Sequence, residues 1–155
     1  MAAAFKEVLD ALYDLLDAQT AFKSKVGKND FSKIYDTGDS CLILRPSSFT
    51  SADDAFGGVY AVVWDIIVEI YEPYRSNIGD VLASLIDNRD IIIDLIQQKM
   101  YLGKGQGNSI KIQAANVVQG GELTAILADD GEMITHLMLS VLIRVDQLRT
   151  VVLET

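Results

Sequence analysis

The sequence predicts an α/β (α+β) domain: a mixed, largely antiparallel sheet with two long strands, two amphipathic helices packed on one face, and a β-hairpin. The stretch Val59–Tyr74, VYAVVWDIIVEIYEPY, is the first reason. Tyr60, Val62, Trp64, Ile66, Val68 and Ile70 make an unbroken apolar row at strand period, while the opposite row sets Asp65 and Glu69 among apolar residues. Ile134–Leu148 repeats that asymmetry, with Leu137, Leu139, Val141, Ile143 and Val145 on one side and His136, Met138, Ser140, Leu142, Arg144 and Asp146 on the other. Two segments with helical spacing supply cover for the apolar rows.

The first of these begins at Phe5. Val8, Leu9, Leu12, Leu15, Leu16 and Gln19 follow at helical intervals, with Asp10, Asp14 and Asp17 on the other face, so a helix of roughly four or five turns is expected. Periodicity lapses over residues 20–39, where Lys23, Lys25, Lys28 and Lys33 gather in an otherwise acidic chain. A solvated loop or short helical turn is the plainer reading; a basic patch that meets an acidic surface on a neighbour is the sharper one. Cys41–Arg45 reads as a short strand stopped by Pro46, and Pro46–Gly58 as a long loop containing Phe49, Asp53, Asp54 and Phe56. Beyond the long strand and Pro73, Asn77 with Asp80 three residues later forms an N-cap signature. Ile78, Val81, Leu82, Leu85, Ile92 and Ile96 then give a helical stripe to about Met100. GKGQGNS at Gly103–Ser109 breaks the pattern, Ile110 and Ile112 open a strand, Gly120-Gly121 turns it, and Leu123, Ala125 and Leu127 return. Asp130-Gly131 is a strong hairpin signal ahead of the last long strand.

At 155 residues, half of them hydrophobic, the chain fits one domain spanning 1–155. Its formal net charge of −9 excludes tight nucleic-acid binding through phosphate neutralisation and disfavours an anionic membrane surface. No apolar run reaches the ~18 residues that a spanning helix needs. Lys6, Glu7 and Asp10 interrupt the stretch where a signal peptide requires an apolar core, so a mature cytosolic protein is expected. The single cysteine, Cys41, permits no internal disulfide and reads as a small buried side chain.

No arrangement of residues carries catalytic chemistry, and no enzyme, metal or cofactor is expected. His136 is the sole histidine, where a metal site wants several His or Cys ligands. There is no G-x-S-x-G elbow for a nucleophile. The glycines at 103, 105 and 107 lack the Gly-Lys-Ser/Thr order and the preceding strand of a phosphate loop. Asp129, Asp130 and Glu132 fail the calcium-loop spacing, since counting Gly131 as the sixth position puts Leu137 at the twelfth. Asp65 and Glu69 share a strand face about 13 Å apart, too far for joint acid–base work, and no partner for either is visible in the sequence.

Taken in order, these elements resemble the tail terminator family of long-tailed bacteriophages. The resemblance rests on the N-terminal helix, CLILRP (Cys41–Pro46), WDIIVEIYEPY (Trp64–Tyr74), RDIIIDLI (Arg89–Ile96), YLG (Tyr101–Gly103) and the closing strand ITHLMLSVLIRV (Ile134–Val145). It implies a structural virion protein and no enzyme. Such a protein assembles in the host bacterial cytoplasm as a homo-oligomeric ring, typically a hexamer, on the head-proximal end of the tail tube. The ring ends tube polymerisation and offers a docking surface to the neck or head-completion protein, and DNA passes through without specific binding. A head-to-tail ring buries two unlike patches per subunit. Asp65, Glu69, Ser140, Leu142 and Arg144 on the mixed strand faces, with Phe49, Asp53, Asp54 and Phe56 in the 46–58 loop, are the expected interface or lumen residues. The alternatives are another neck or tail component, such as a head-completion or tube subunit, and a small soluble ligand-binding domain or enzyme.

Overall fold

The computed structural model describes residues 2–31, 39–51, 59–119, 122–128, 131 and 133–150. In chain order these form α1 (Ala2–Asp17), β1 (Val26–Lys28), β2 (Cys41–Ser51), β3 (Val59–Pro73), α2 (Ile78–Gln98), β4 (Ile112–Gln119), β5 (Leu123–Leu127) and β6 (Ile134–Thr150). One six-stranded sheet runs β1-β2-β3-β6-β4, with β5 also on β6. Only β1 and β2 are parallel; the other pairings are antiparallel and the sheet is not closed.

The α+β class, the two long strands and the one-sided helical layer are all present. β3 and β6 are neighbours paired from Val59↔Thr150 to Pro73↔His136. Their apolar rows, Val62–Ile70 and Leu137–Val145, therefore fall on the same face. Val8, Leu12 and Leu16 of α1 and Val81, Leu85, Ile92 and Ile96 of α2 are buried in one cluster with those rows. Asn77 caps α2, its side-chain oxygen accepting from the Gly79 N–H at 3.1 Å.

Three expectations are corrected. Pro46 does not stop β2, which continues to Ser51. β1 reaches only Leu42–Leu44, so among the described residues no strand lies beside Pro46 on that side, and a bulge falls between Pro46 and Ser48; edges and bulges are the places where a strand tolerates a missing N–H. The bulge also reverses the facing, so Phe49 sits opposite Trp64 in a strand and not in a loop. Of the expected 46–58 loop, Asp53, Asp54 and Phe56 lie outside the described residues.

The lysine-containing stretch holds β1, whose three residues are too few for a periodic signal. Phe22 and Val26 bury there. Lys25 pairs with Asp39 at 3.1 Å, and Lys28 with Asp10 of α1 at 2.8 Å while its ammonium lies over the Tyr13 ring. These two lysines thus meet acids of their own chain, and Lys33 lies outside the described residues.

Finally, the strands on either side of Gly120-Gly121 do not pair with each other. β4 pairs with β6 from Gln147 to Leu142 and β5 from Leu139 to Ile134, so they lie end to end along β6, whose length serves both. The hairpin that does form joins β5 to β6 around Gly131, which takes φ +73°, with the Ala128 N–H donating to Met133 O at 2.7 Å. Ahead of β4, buried Asn108 pins the glycine-rich segment, donating to Gly105 O and Ile112 O and accepting from the Ile112 N–H.

Candidate assembly surface

Pairing of β3 with β6 sets the expected surface residues directly across from one another: Asp65↔Arg144, Ile67↔Leu142 and Glu69↔Ser140. All five therefore share the face that the helices leave uncovered. Arg144 grips Asp65 with both ends of its fork, Nε to Oδ1 at 2.9 Å and Nη2 to Oδ2 at 3.1 Å, and Ser48 Oγ donates to Oδ2 at 3.2 Å. The hydrogen-bonded guanidinium holds the Asp65 carboxyl below the usual carboxylate range, against the opposing effect of burial. Glu69, 5% exposed, is met from β2 by Arg45 Nε at 3.0 Å and from its own strand by the Tyr71 hydroxyl at 3.3 Å. Burial, and then the Glu69 charge, push the Tyr71 phenol well above its ordinary range.

The two carboxylates that lack partners in the sequence thus each have an arginine in the fold. The signal was absent because Arg45 and Arg144 lie 24 and 79 positions away from Glu69 and Asp65 in the chain and meet them only through strand register. What the face displays is apolar area crossed by two neutralised ion pairs. Between the pairs, Ile67, Leu142, Ser140, Ser47 and Glu122 line a shallow concavity of about 210 Å³, below the roughly 300–1,000 Å³ of ordinary small-molecule sites. His136 sits at the end of the same face, 8% exposed, with Nδ1 3.0 Å from Thr135 Oγ1. Among the described residues, no three His, Cys, Asp or Glu side chains converge as a metal site would require.

Linkage gives the ion pair a pH signature. The folded-state value of Asp65 is depressed, so its stabilisation is present above the unfolded carboxylate pKa of about 3.9 and disappears as pH falls through the folded value. Because Arg144 keeps 44% of its side chain exposed, the contribution is at most about 1 kcal/mol. Asp65→Asn should flatten the acid limb of a plot of Tm against pH; an acid limb of unchanged steepness contradicts this assignment. Arg144→Glu sets a like charge directly opposite Asp65, which weakens the pairing of β3 with β6 at this point.

The edges of the sheet were less legible than its face. β2 has no described strand beside it beyond Leu44, and Phe49 there packs its ring against Trp64 at a tilt of 42°, centroids 5.5 Å apart, while 56% exposed. Phe31 is also exposed just after β1. On the opposite edge, β4 and β5 have no described partner other than β6. Leu123 and Leu127 of the β5 segment LTAIL are 53% and 50% exposed, with Val118 before it and Met133 after it exposed as well. An apolar strand of this kind reads as buried in sequence; only its position at an edge with no further described strand shows otherwise.

No protein-family model matches this chain, and no curated protein matches it.

Proposed function

We propose that this protein is a ring-forming structural subunit, the tail terminator of a long-tailed bacteriophage. One observation supports the ring reading above the others: a single open sheet ends in two unlike edges that have no further strand partner among the described residues and that both expose large apolar side chains, Phe49 at one and Leu123 and Leu127 at the other. Unlike patches at opposite ends of a subunit are what a heterologous contact requires, and such contacts close into a ring when the rotation permits. Exposed apolar edges on an isolated domain would otherwise invite uncontrolled association.

The terminator identity draws on the order of elements and on CLILRP, WDIIVEIYEPY and ITHLMLSVLIRV. In this reading a ring, a hexamer by the resemblance, caps the head-proximal end of the tube, stops its growth and presents a surface to the neck. The mixed face, with Asp65–Arg144 and Arg45–Glu69 internally neutralised, forms a subunit or lumen surface to which DNA does not adhere. The reading includes no catalytic step, metal or cofactor.

Native mass spectrometry over rising protein concentration, with and without tube protein, tests the proposal. A species that stops at one fixed multiple of the chain mass is expected. Continuous growth into polymers would instead assign a tube subunit, and a monomer under every condition would remove the ring.

A further inference from the structure

β5 (Leu123–Leu127) has β6 on one side and, among the described residues, no strand on the other. The two ends of the strand fix the phase of its main chain. Glu122 O accepts from the Ser140 N–H at 3.3 Å, and the Ala128 N–H donates to Met133 O at 2.7 Å. In an antiparallel ladder alternate residues turn both amide groups to the same neighbour. The even-numbered residues 122–128 therefore bond to β6, and Leu123, Ala125 and Leu127 turn their N–H and C=O groups outward. The irregularity between Ile126 and Leu127 does not disturb this, because the extra residue, Thr135, lies on β6. Leu123, Ala125 and Leu127 also share one face, and all three are exposed. The strand holds neither charge nor proline, the usual guards of an open edge.

We propose that β5 takes a further strand, and that the strand is β5 of a second copy, antiparallel about a two-fold axis at Ala125. The sequence LTAIL is close to its own reverse, which is what an isologous contact demands. With Ala125 opposite itself, Leu123 meets Leu127 of the second copy and Thr124 meets Ile126. Each outward residue then faces another outward residue, giving about six main-chain bonds, two for each of the three pairs. A shift of one residue sets outward amides against inward ones, and a shift of two shortens the overlap. Glu122 falls across from Ala128, so no like charges meet. Only five residues per copy engage, so the pair is weak and reversible. It is a state of the free protein and requires no ring. Because the ring contact draws on this same edge, the pair must part before a ring closes.

Disulfide trapping in the full chain tests the register. Hydrogen-bonded partners stand about 5.5 Å apart at Cα, within the roughly 4.4–6.8 Å that a disulfide spans. Ala125→Cys, mildly oxidised with glutathione disulfide, should therefore bridge to itself. Leu123→Cys lies on the same face but about 13 Å from its own copy, and reports random collision. Native Cys41 is 1% exposed and stays out of reach. Ala125→Cys is expected to dimerise at least about tenfold faster than Leu123→Cys, since pairing holds its thiols together. An equimolar mixture of Leu123→Cys and Leu127→Cys should bridge across the two variants, which carries the test if Ala125→Cys does not fold. No bridge, or equal rates for Ala125→Cys and Leu123→Cys, overturns the proposal and leaves the ring standing, because the bridge reports two-fold pairing alone. A bridged Ala125→Cys pair that still caps tubes would overturn the exclusion between pair and ring.

Discussion

Trp64→Ala is expected to remove about 4–6 kcal/mol of folding stability, the sum of a large core truncation and an orphaned hydrogen-bond acceptor. Trp64 is 3% exposed and stands where three parts of the chain meet. Its ring packs on Phe5 of α1 at 5.3 Å and on Phe49 of β2 at 5.5 Å between centroids. Its Nε1–H satisfies Gln147 Oε1 at 2.9 Å, and Gln147 in turn holds the Ile110 carbonyl ahead of β4. Truncation therefore opens a cavity beneath α1 and strands a polar atom on a residue that is 1% exposed. Against the 5–15 kcal/mol of a typical domain this is a large fraction. At about 2–4 °C per kcal/mol for a chain of this size, it lowers Tm by roughly 10–20 °C. Trp64→Phe retains most of the ring packing and orphans only Gln147, so it should lose about 1–3 kcal/mol. Chemical denaturation followed by far-UV circular dichroism is the appropriate measurement, because Trp64 is the sole tryptophan and fluorescence is lost with it. A Trp64→Ala loss below about 1 kcal/mol would show that the ring does not anchor these elements.

The second large effect is on assembly and not on folding. Leu123→Lys combined with Leu127→Lys should leave the monomer intact, because both positions are about half exposed and such substitutions shift stability by about ±0.5 kcal/mol. If the β5 edge is covered by another subunit, the double variant forfeits the burial of half of each leucine and places ammonium groups against the incoming strand. Half of the usual 1.5–3 kcal/mol per leucine gives about 1.5–3 kcal/mol per contact, a tenfold to hundredfold weaker association. Charged edge residues are also the ordinary device by which proteins prevent strand addition. Sedimentation velocity of wild type and double variant at matched concentrations measures it. Equal association by two folded proteins would mean that β5 lies outside the interface.

The sequence was most legible where one residue's environment follows from its near neighbours. The rows Val62–Ile70 and Leu137–Val145 bury in full, and the helical stripes bury Val8, Leu12, Leu16, Val81, Leu85, Ile92 and Ile96 with Leu9, Leu15 and Leu82 partly covered, while Ile78 at the start of the second stripe stays 50% exposed. Local chemistry also disclosed the Asn77 cap and the turn at Gly131. Long-range register was not legible. Nothing near Asp65 in the chain indicates Arg144, and nothing near Pro46 indicates that β1 is too short to enclose it. The pattern at Leu123–Leu127 announces a strand without saying whether anything covers it, because coverage depends on the strand order of the whole sheet. For the same reason Arg149 passes in sequence as an ordinary strand residue, although the fold deprives its Nε of both water and partner.

The ring itself is tested most directly by negative-stain electron microscopy of the purified protein mixed with tail tubes. The account predicts closed rings seated on one end of each tube, and tube lengths that no longer increase when more tube protein is added. Bare tube ends that keep growing in the presence of folded protein would contradict it.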